Sequence, residues 1–157
     1  MTKCYSHGKI LLTGEYMVLA GAEALAIPTK MGQSLGFEPN DSKILDWESW
    51  DFNNNLWFNA TIDIMDFSVS NTSSETIALK LTKILKAIRN QKNNFLRKNG
   101  GSVKTLLEFD RQWGLGTSST LISNLALWSQ TNPYKLLQNS FGGSGYDIAC
   151  ATANSPI

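Results

Sequence analysis

The run Asp110-Arg111-Gln112-Trp113-Gly114-Leu115-Gly116-Thr117-Ser118-Ser119-Thr120 restricts the fold more than any other part of this chain. Before it, Val103, Thr105, Leu107 and Phe109 alternate as a half-buried strand does. After it, Leu121, Ile122, Leu125, Ala126 and Trp128 follow a helical pattern. The chain must therefore turn from a strand through two glycines directly into a helix. Glycine allows the close backbone approach this needs, and the first N–H groups of the helix have no partner within it. With the hydroxyls of Thr117, Ser118 and Ser119 added, the junction is a ready anion site, and the polyphosphate of a nucleotide suits it best. The plainer alternative is a tight turn whose hydroxyls only cap a helix. It is not a Walker loop, because no Gly-Lys-Ser/Thr occurs. It also fails as a dinucleotide fingerprint, since Ser119 stands where the third glycine belongs.

The rest of the chain supplies the layers around that junction. Strands are expected over 4–12, over 24–38 with breaks at Pro28 and Gly32, and over 44–50 before the Asn53-Asn54-Asn55 turn. Leu56, Phe58, Ala60, Ile62 and Ile64 share one face of a further strand. Phe67 and Val69 fall on the other parity, as a bulge or bend near Met65-Asp66 would produce. Thr72-Ser73-Ser74-Glu75 fits a capping box with Thr72 as N-cap. Behind it Ile77, Leu81, Ile84, Leu85 and Ile88 mark a helix that Asn99-Gly100-Gly101 ends. Asn132-Pro133 starts a shorter helix through about residue 141, and small residues form another over 146–152. Strands, helix, strand, helices is the order of an α+β layer, a mixed or antiparallel sheet with helices packed on one face.

At 157 residues, with 42% hydrophobic and 17% charged residues, the chain suits one globular domain, residues 1–157. A net charge of +1 gives no global attraction to nucleic acid or membrane. The apolar stretch from Met17 to Ile27 contains Glu23 and is too short to span a bilayer, so a cytoplasmic location is expected. Cys4 and Cys150 read as separate thiols, and His7, the only histidine, as structural; zinc has no clustered ligands to bind. Asp147 follows Gly142-Gly143-Ser144-Gly145. It either complements a helix dipole or accepts a proton from a substrate hydroxyl. Lys9 is either a strand-edge lysine or a charge for a transferring phosphate. Seven basic residues, Lys80, Lys83, Lys86, Arg89, Lys92, Arg97 and Lys98, lie on or just after the long helix. They make a solvated face or, as the sharper alternative, an RNA-contacting stripe.

Taken together, these pieces resemble the GHMP kinases, the superfamily of galactokinase, homoserine kinase, mevalonate kinase and phosphomevalonate kinase. Ser6-His7-Gly8-Lys9-Ile10-Leu11-Leu12-Thr13-Gly14-Glu15-Tyr16, with Ala24-Leu25-Ala26 beyond, is similar to the first motif of that family. Gly114-Leu115-Gly116-Thr117-Ser118-Ser119 is similar to its ATP phosphate loop. Gly143-Ser144-Gly145-Tyr146-Asp147-Ile148-Ala149 is similar to the segment that carries a catalytic aspartate in the mevalonate and phosphomevalonate branches. The resemblance implies the ribosomal-S5-domain-2-like N-terminal half of such a kinase. It also implies ATP-dependent phosphorylation of a small-molecule hydroxyl or phosphate, with mevalonate- or phosphomevalonate-like acceptors first. Asp147 would take the acceptor's proton with Lys9 beside it. Residues Gly114, Leu115, Gly116, Thr117, Ser118 and Ser119 would cradle the phosphates, and Ser118 would help hold Mg²⁺. Glu15, Tyr16, Ser144 and Gly145 would face the acceptor.

Arg111-Gln112-Trp113 replaces the family's proline-rich lead-in, and no acid occurs from Gln112 to Tyr146 where mevalonate kinases carry a magnesium-binding glutamate. Tyr16 stands in place of their histidine, which leans toward the phosphomevalonate branch. Only ten residues follow Asp147, so the C-terminal domain is expected to be absent from this chain, which would be a fragment of a kinase about twice its size or one piece of a split protein. The expected partners are the missing domain or a second fragment, with a homodimer as another arrangement. The chain alone is expected to be inactive. Two other readings stay open: an S5-like module that binds RNA through residues 75–98, and a nucleotide-binding relic without turnover.

Overall fold

The computed structural model describes residues 1–14, 20–21, 23–143 and 145–157. Its centre is a mixed sheet in the spatial order β1-β2-β6-β3-β4-β5. The strands are β1 (Thr2–Thr13), β2 (Leu25–Pro39), β3 (Ile44–Trp50), β4 (Leu56–Asp63), β5 (Val69–Thr72) and β6 (Gly101–Leu107). Every neighbouring pair is antiparallel except β3 with β6. Parallel neighbours cannot be joined by a tight turn. Here the crossover runs through β4, β5 and helix α1 (Glu75–Gln91).

Side-chain alternation decides which face is covered. On β3, Leu45, Trp47 and Ser49 are buried while Asp46 and Glu48 are exposed; on β6, Val103 and Thr105 are buried and Ser102 and Lys104 exposed. The buried face meets α1, α2 (Thr117–Ser129), α3 (Pro133–Ser140) and α4 (Tyr146–Thr152) in one hydrophobic core. The α+β layer with helices on one face is the architecture observed. Helix α1 contributes Leu81, Ile84, Leu85 and Ile88, each worth roughly 1.5–3 kcal/mol when fully buried. Asn132 caps α3 as its sequence suggests, its side chain accepting from the N–H groups of Tyr134 and Lys135.

Of the two alternatives near Met65-Asp66 the bend is the one present, and it is a full chain reversal: Phe67, at φ 59°, donates to the Asp63 carbonyl, Asp63 donates to Ser68, and β5 returns antiparallel to β4. Two other local expectations are corrected. Thr72 is not the N-cap of α1. Its hydroxyl donates to the Asn59 carbonyl of β4, and Ser74 takes the cap position without a side-chain bond. Helix α1 ends at Gln91 rather than near Asn99. The reason is tertiary. Phe95 and Leu96 are buried, and Arg89 holds the segment in place by donating to the carbonyls of Phe95 (3.2 Å), Leu96 (3.1 Å), Ile64 (2.6 Å) and Met65 (3.0 Å). Its guanidinium also lies 3.9 Å from the Phe67 ring centroid. Arg89 is thus an internal strut and not part of a solvated stripe.

The seating of α2 positions the functional loop. Asn124, fully buried, donates through Nδ2 to the Gln33 carbonyl of β2 (2.8 Å) and accepts from the Ser6 hydroxyl of β1 (2.9 Å). One turn earlier, the Thr120 hydroxyl donates to Gln33 Oε1 (2.8 Å). His7 is structural as expected, with Nδ1 2.9 Å from the Thr29 carbonyl, and Cys4 and Cys150 are separate thiols. At the other end of the chain, Ala26 and Ile157 exchange both backbone hydrogen bonds at 2.9 Å.

Replacing Arg89 tests its strut role. Arg89→Met leaves four carbonyls without their donor, and each buried unpaired group costs about 1–3 kcal/mol. Urea denaturation is expected to show a loss of about 3 kcal/mol or more, of which Arg89→Lys recovers only part because an ammonium lacks the planar fork.

Candidate active site

The loop between β6 and α2 carries the first part of the site. Asp110 turns the chain into a single 3₁₀ turn over Arg111–Trp113, its carboxylate accepting from Gln112 N–H (2.8 Å). Gly114 (φ 70°) and Gly116 (φ 88°) then take left-handed conformations, and α2 starts at Thr117. At Gly116 only glycine fits. A Cβ there would lie 2.6 Å from Ser119 Oγ and 3.3 Å from the Lys9 Cγ. Gly114 shares the backbone strain but opens onto free space.

Lys9 ties that loop to the rest. Its backbone N–H donates to the Leu115 carbonyl (2.9 Å), and its aliphatic stem lies against Gly116. Its ammonium reaches α4, where Nζ donates to Tyr146 Oη at 3.0 Å and lies 3.5 Å from Asp147 Oδ1. The second distance makes an ion pair but not a well-formed hydrogen bond, and Asp147 Oδ1 is a buried oxygen without a hydrogen-bond partner. Burial pulls the Lys9 ammonium toward neutrality. The Tyr146 hydrogen bond and the Asp147 charge outweigh that and leave its pKa above the ordinary lysine value. Burial pushes the Tyr146 phenol up as well, with the neighbouring Asp147 charge adding to it and the Lys9 hydrogen bond opposing it.

On the other side of the loop lies a cleft of about 530 Å³, a size that suits a small ligand. Its walls carry the aromatic side chains of Trp47, Phe52, Trp57 and Phe58, with Ile77 and Leu81 of α1, and Thr117 and Ser118 close one end. Arg111 stacks on Trp57 at 3.9 Å, and Lys80 stands at the rim. Neither Lys9 nor Asp147 lines this cleft; the glycine loop stands between it and them.

The structure therefore brings Lys9, Asp147 and Gly114–Ser119 together, as the motifs suggest. Within the loop the hydroxyls diverge. Ser118 is exposed and Thr117 Oγ1 is buried without a partner, whereas Ser119 Oγ is turned inward to the Gly116 carbonyl (2.8 Å). Gly145 caps α4 at φ 87°, its open side covered by the Tyr134 ring. Glu15, Tyr16 and Ser144 lie outside the described residues. The orphaned Thr117 hydroxyl, the free helix start and the open space over Gly114 fit a polyphosphate. Among the described residues no group of three or more His, Cys, Asp or Glu side chains forms a metal cage. A magnesium ion carried by phosphates needs few protein ligands, and Ser118 is the one that this loop exposes.

No protein-family model matches this sequence, and no curated protein matches it. Its three-dimensional relatives are clear. The Methanococcus jannaschii mevalonate kinase superposes with a TM-score of 0.66 at 12% identity, over 94% of this chain and 51% of that one. The L. major mevalonate kinase in complex with R-mevalonate gives 0.65 at 19% identity, over 100% of this chain and 48% of that one. The Streptococcus pneumoniae phosphomevalonate kinase in complex with phosphomevalonate and AMPPNP gives 0.63 at 16% identity, over 96% of this chain and 47% of that one. This chain has the fold of the N-terminal half of the GHMP kinases. It spans about half the length of these GHMP neighbours. Among the described residues, no helix is long and apolar enough to cross a membrane.

Sequence reasoning did not find Tyr146 as the nearest partner of Lys9, nor the aromatic cleft. The available signal for the cleft was the crowding of Trp47, Phe52, Trp57 and Phe58 into a short stretch of the sequence. The basic helix does not present one uniform surface: Arg89 is internal, Lys80 faces the cleft, and Lys83 donates to the Ser140 carbonyl (3.4 Å).

Two measurements follow from this geometry. Gly114→Ala should lose only the backbone cost of a left-handed alanine, about 1–2 kcal/mol. Gly116→Ala should lose more in the same urea titration, because its methyl also strikes Ser119 and Lys9. Lys9, raised in the folded state, contributes stability that is complete below the unfolded lysine pKa and is lost as pH rises through the folded one. Asp147→Asn removes a charge that favours the ammonium, so the Lys9 Nζ titration followed by NMR should move to lower pH.

Proposed function

We propose that this chain is the nucleotide-binding and catalytic part of an ATP-dependent small-molecule kinase of the GHMP type. The observation that carries the reading is the position of Lys9. One side chain touches the glycine loop at Gly116 and reaches both Tyr146 and Asp147, so the three motif elements share a single site. Phosphoryl transfer asks a protein mainly for positioning and charge neutralisation, and these are the two services this site is built to give.

When bound, ATP supplies the phosphoryl group. The aromatic cleft beside Trp57 takes the flat base, with Lys80 and Arg111 at its rim. The N–H groups of the loop and α2 start, with the Thr117 and Ser118 hydroxyls, hold the phosphates, and Ser118 is the side chain placed to hold an accompanying Mg²⁺. Lys9 neutralises charge where the loop meets α4. The Asp147 carboxylate, part of whose side chain is exposed, takes the proton of the acceptor hydroxyl. Glu15, Tyr16, Ser144 and Gly145 are the residues assigned to the acceptor. R-mevalonate and phosphomevalonate are the first acceptors to try, because GHMP neighbours of this fold are seen with them.

Calorimetry with ATP and Mg²⁺, followed by phosphotransfer assays with these acceptors, tests the proposal on the full-length gene product. Asp147→Asn should keep ATP binding and lower kcat by about 10²-fold or more, the usual contribution of a general base. Lys9→Met should lower kcat likewise. Turnover indifferent to both substitutions would remove the mechanism. ATP binding with no transfer to any acceptor would leave a nucleotide-binding relic.

A further inference from the structure

We infer that the groove at the far end of α2, lined by Lys92, Arg97, Lys98 and Trp128, binds single-stranded nucleic acid. The inference does not depend on the kinase reading above. It starts from an unequal distribution of charge. From Thr76 to Leu107 the chain carries eight basic residues and no acidic one, against six basic and 13 acidic residues elsewhere. Among the described residues, none of the eight makes an ion pair. Burial, and behind it the charge of Arg97, pulls the Arg89 guanidinium below the ordinary arginine value, so the charge that Arg89 feels is a second cation. Like charges gathered without counter-charges repel one another and attract anions.

The groove gives that charge a shape. It measures about 450 Å³ and lies between the end of β2, the 92–99 segment and the last turn of α2. Trp128 is separated from Thr117, where the phosphate loop meets α2, by about 16 Å at the helical rise. The indole is part-exposed at the groove wall and held by Phe37 (ring centroids 4.6 Å apart) and Phe95 (5.0 Å). Lys92 Nζ donates to Gln130 Oε1 (3.2 Å) and Arg97 Nε to the Asn93 carbonyl (3.1 Å), contacts that place both cations without neutralising them. One carboxylate reaches the edge, that of Asp41, which accepts from Asn99 Nδ2 (3.3 Å). A strand with unpaired bases offers spaced phosphates to such cations and flat rings to such an aromatic wall. An acidic peptide would leave the tryptophan unused. A bilayer would need the rings to project, and here they line a recess.

A fluorescently labelled twelve-nucleotide oligouridylate, titrated into the full-length protein and followed by anisotropy, tests this. Three phosphate contacts give a slope of log K against log salt of about −2, so affinity should fall about 20-fold between about 50 and 200 mM salt. Lys92→Ala, Arg97→Ala and Lys98→Ala combined should remove most of the binding and its salt dependence. Lys3→Ala, Lys30→Ala and Lys104→Ala combined take away the same charge outside the groove and should leave the affinity little changed. An abasic strand of the same length keeps the phosphates and should bind about 10-fold more weakly, because it cannot stack on Trp128. No binding at the lower salt, equal losses from the two triple variants, equal affinity for the abasic strand, or tighter binding of polyglutamate would each overturn the inference. Should the groove triple variant not fold, its single substitutions decide: each is expected to reduce the slope by about 0.7, and an unchanged slope in all three refutes the site. No arm reads phosphate transfer, so the kinase proposal stands or falls separately.

Discussion

Everything at this site depends on how α2 is seated, and a buried amide does the seating. Asn124 bridges β1 and β2 by bonding the Ser6 hydroxyl and the Gln33 carbonyl in the interior, where an unpaired polar group would cost about 1–3 kcal/mol. Apolar packing alone would let a helix slide along a sheet by small steps at little cost. Directional hydrogen bonds between fully buried partners do not. Because α2 cannot slide, its first turn lies where β1 passes beneath it, and the Lys9 N–H meets the Leu115 carbonyl. The loop geometry is thus an outcome of the core as much as of its own glycines.

From that seating the functional logic follows in two directions. On one side of the loop an aromatic cleft offers a flat, mostly apolar surface with cationic side chains at the rim. On the other, the lysine of β1 and the tyrosine–aspartate pair of α4 form a small polar cluster. The loop is a partition with free N–H groups along it. A ligand with a base at one end and a reactive phosphate at the other is the shape that spans such a partition. The arrangement needs no large conformational change to bring reactive groups together, since the lysine is already in contact with the loop and with α4.

What was legible in the sequence was local. The Gly114–Ser119 loop could be read because paired glycines at a strand–helix junction answer a steric demand made within the loop itself. The Asn132 cap and the α1 core face could be read because both are matters of spacing along one element. The failures share a cause. Thr72 looked like an N-cap until the Asn59 carbonyl across the β4–β5 pair claimed its hydroxyl. The α1 pattern ran on past Gln91, but the carbonyls of Phe95 and Leu96 are bound by Arg89 from the side. Tyr146 and the Trp57 cleft are likewise products of contacts between distant segments. Lys9 and Asp147, each ambiguous alone, became informative only through their resemblance to a family pattern, and the fold then brought them within ion-pair distance.

The central claim is that the loop, Lys9 and Asp147 serve one bound nucleotide. A crystal structure of the protein with a non-hydrolysable ATP analogue and Mg²⁺ tests it most directly. The base is predicted against Trp57 in the cleft, the phosphates on the Gly114–Ser119 amides, and the terminal phosphate facing Lys9. A nucleotide bound elsewhere, or one whose terminal phosphate points away from Lys9 and Asp147, would contradict it.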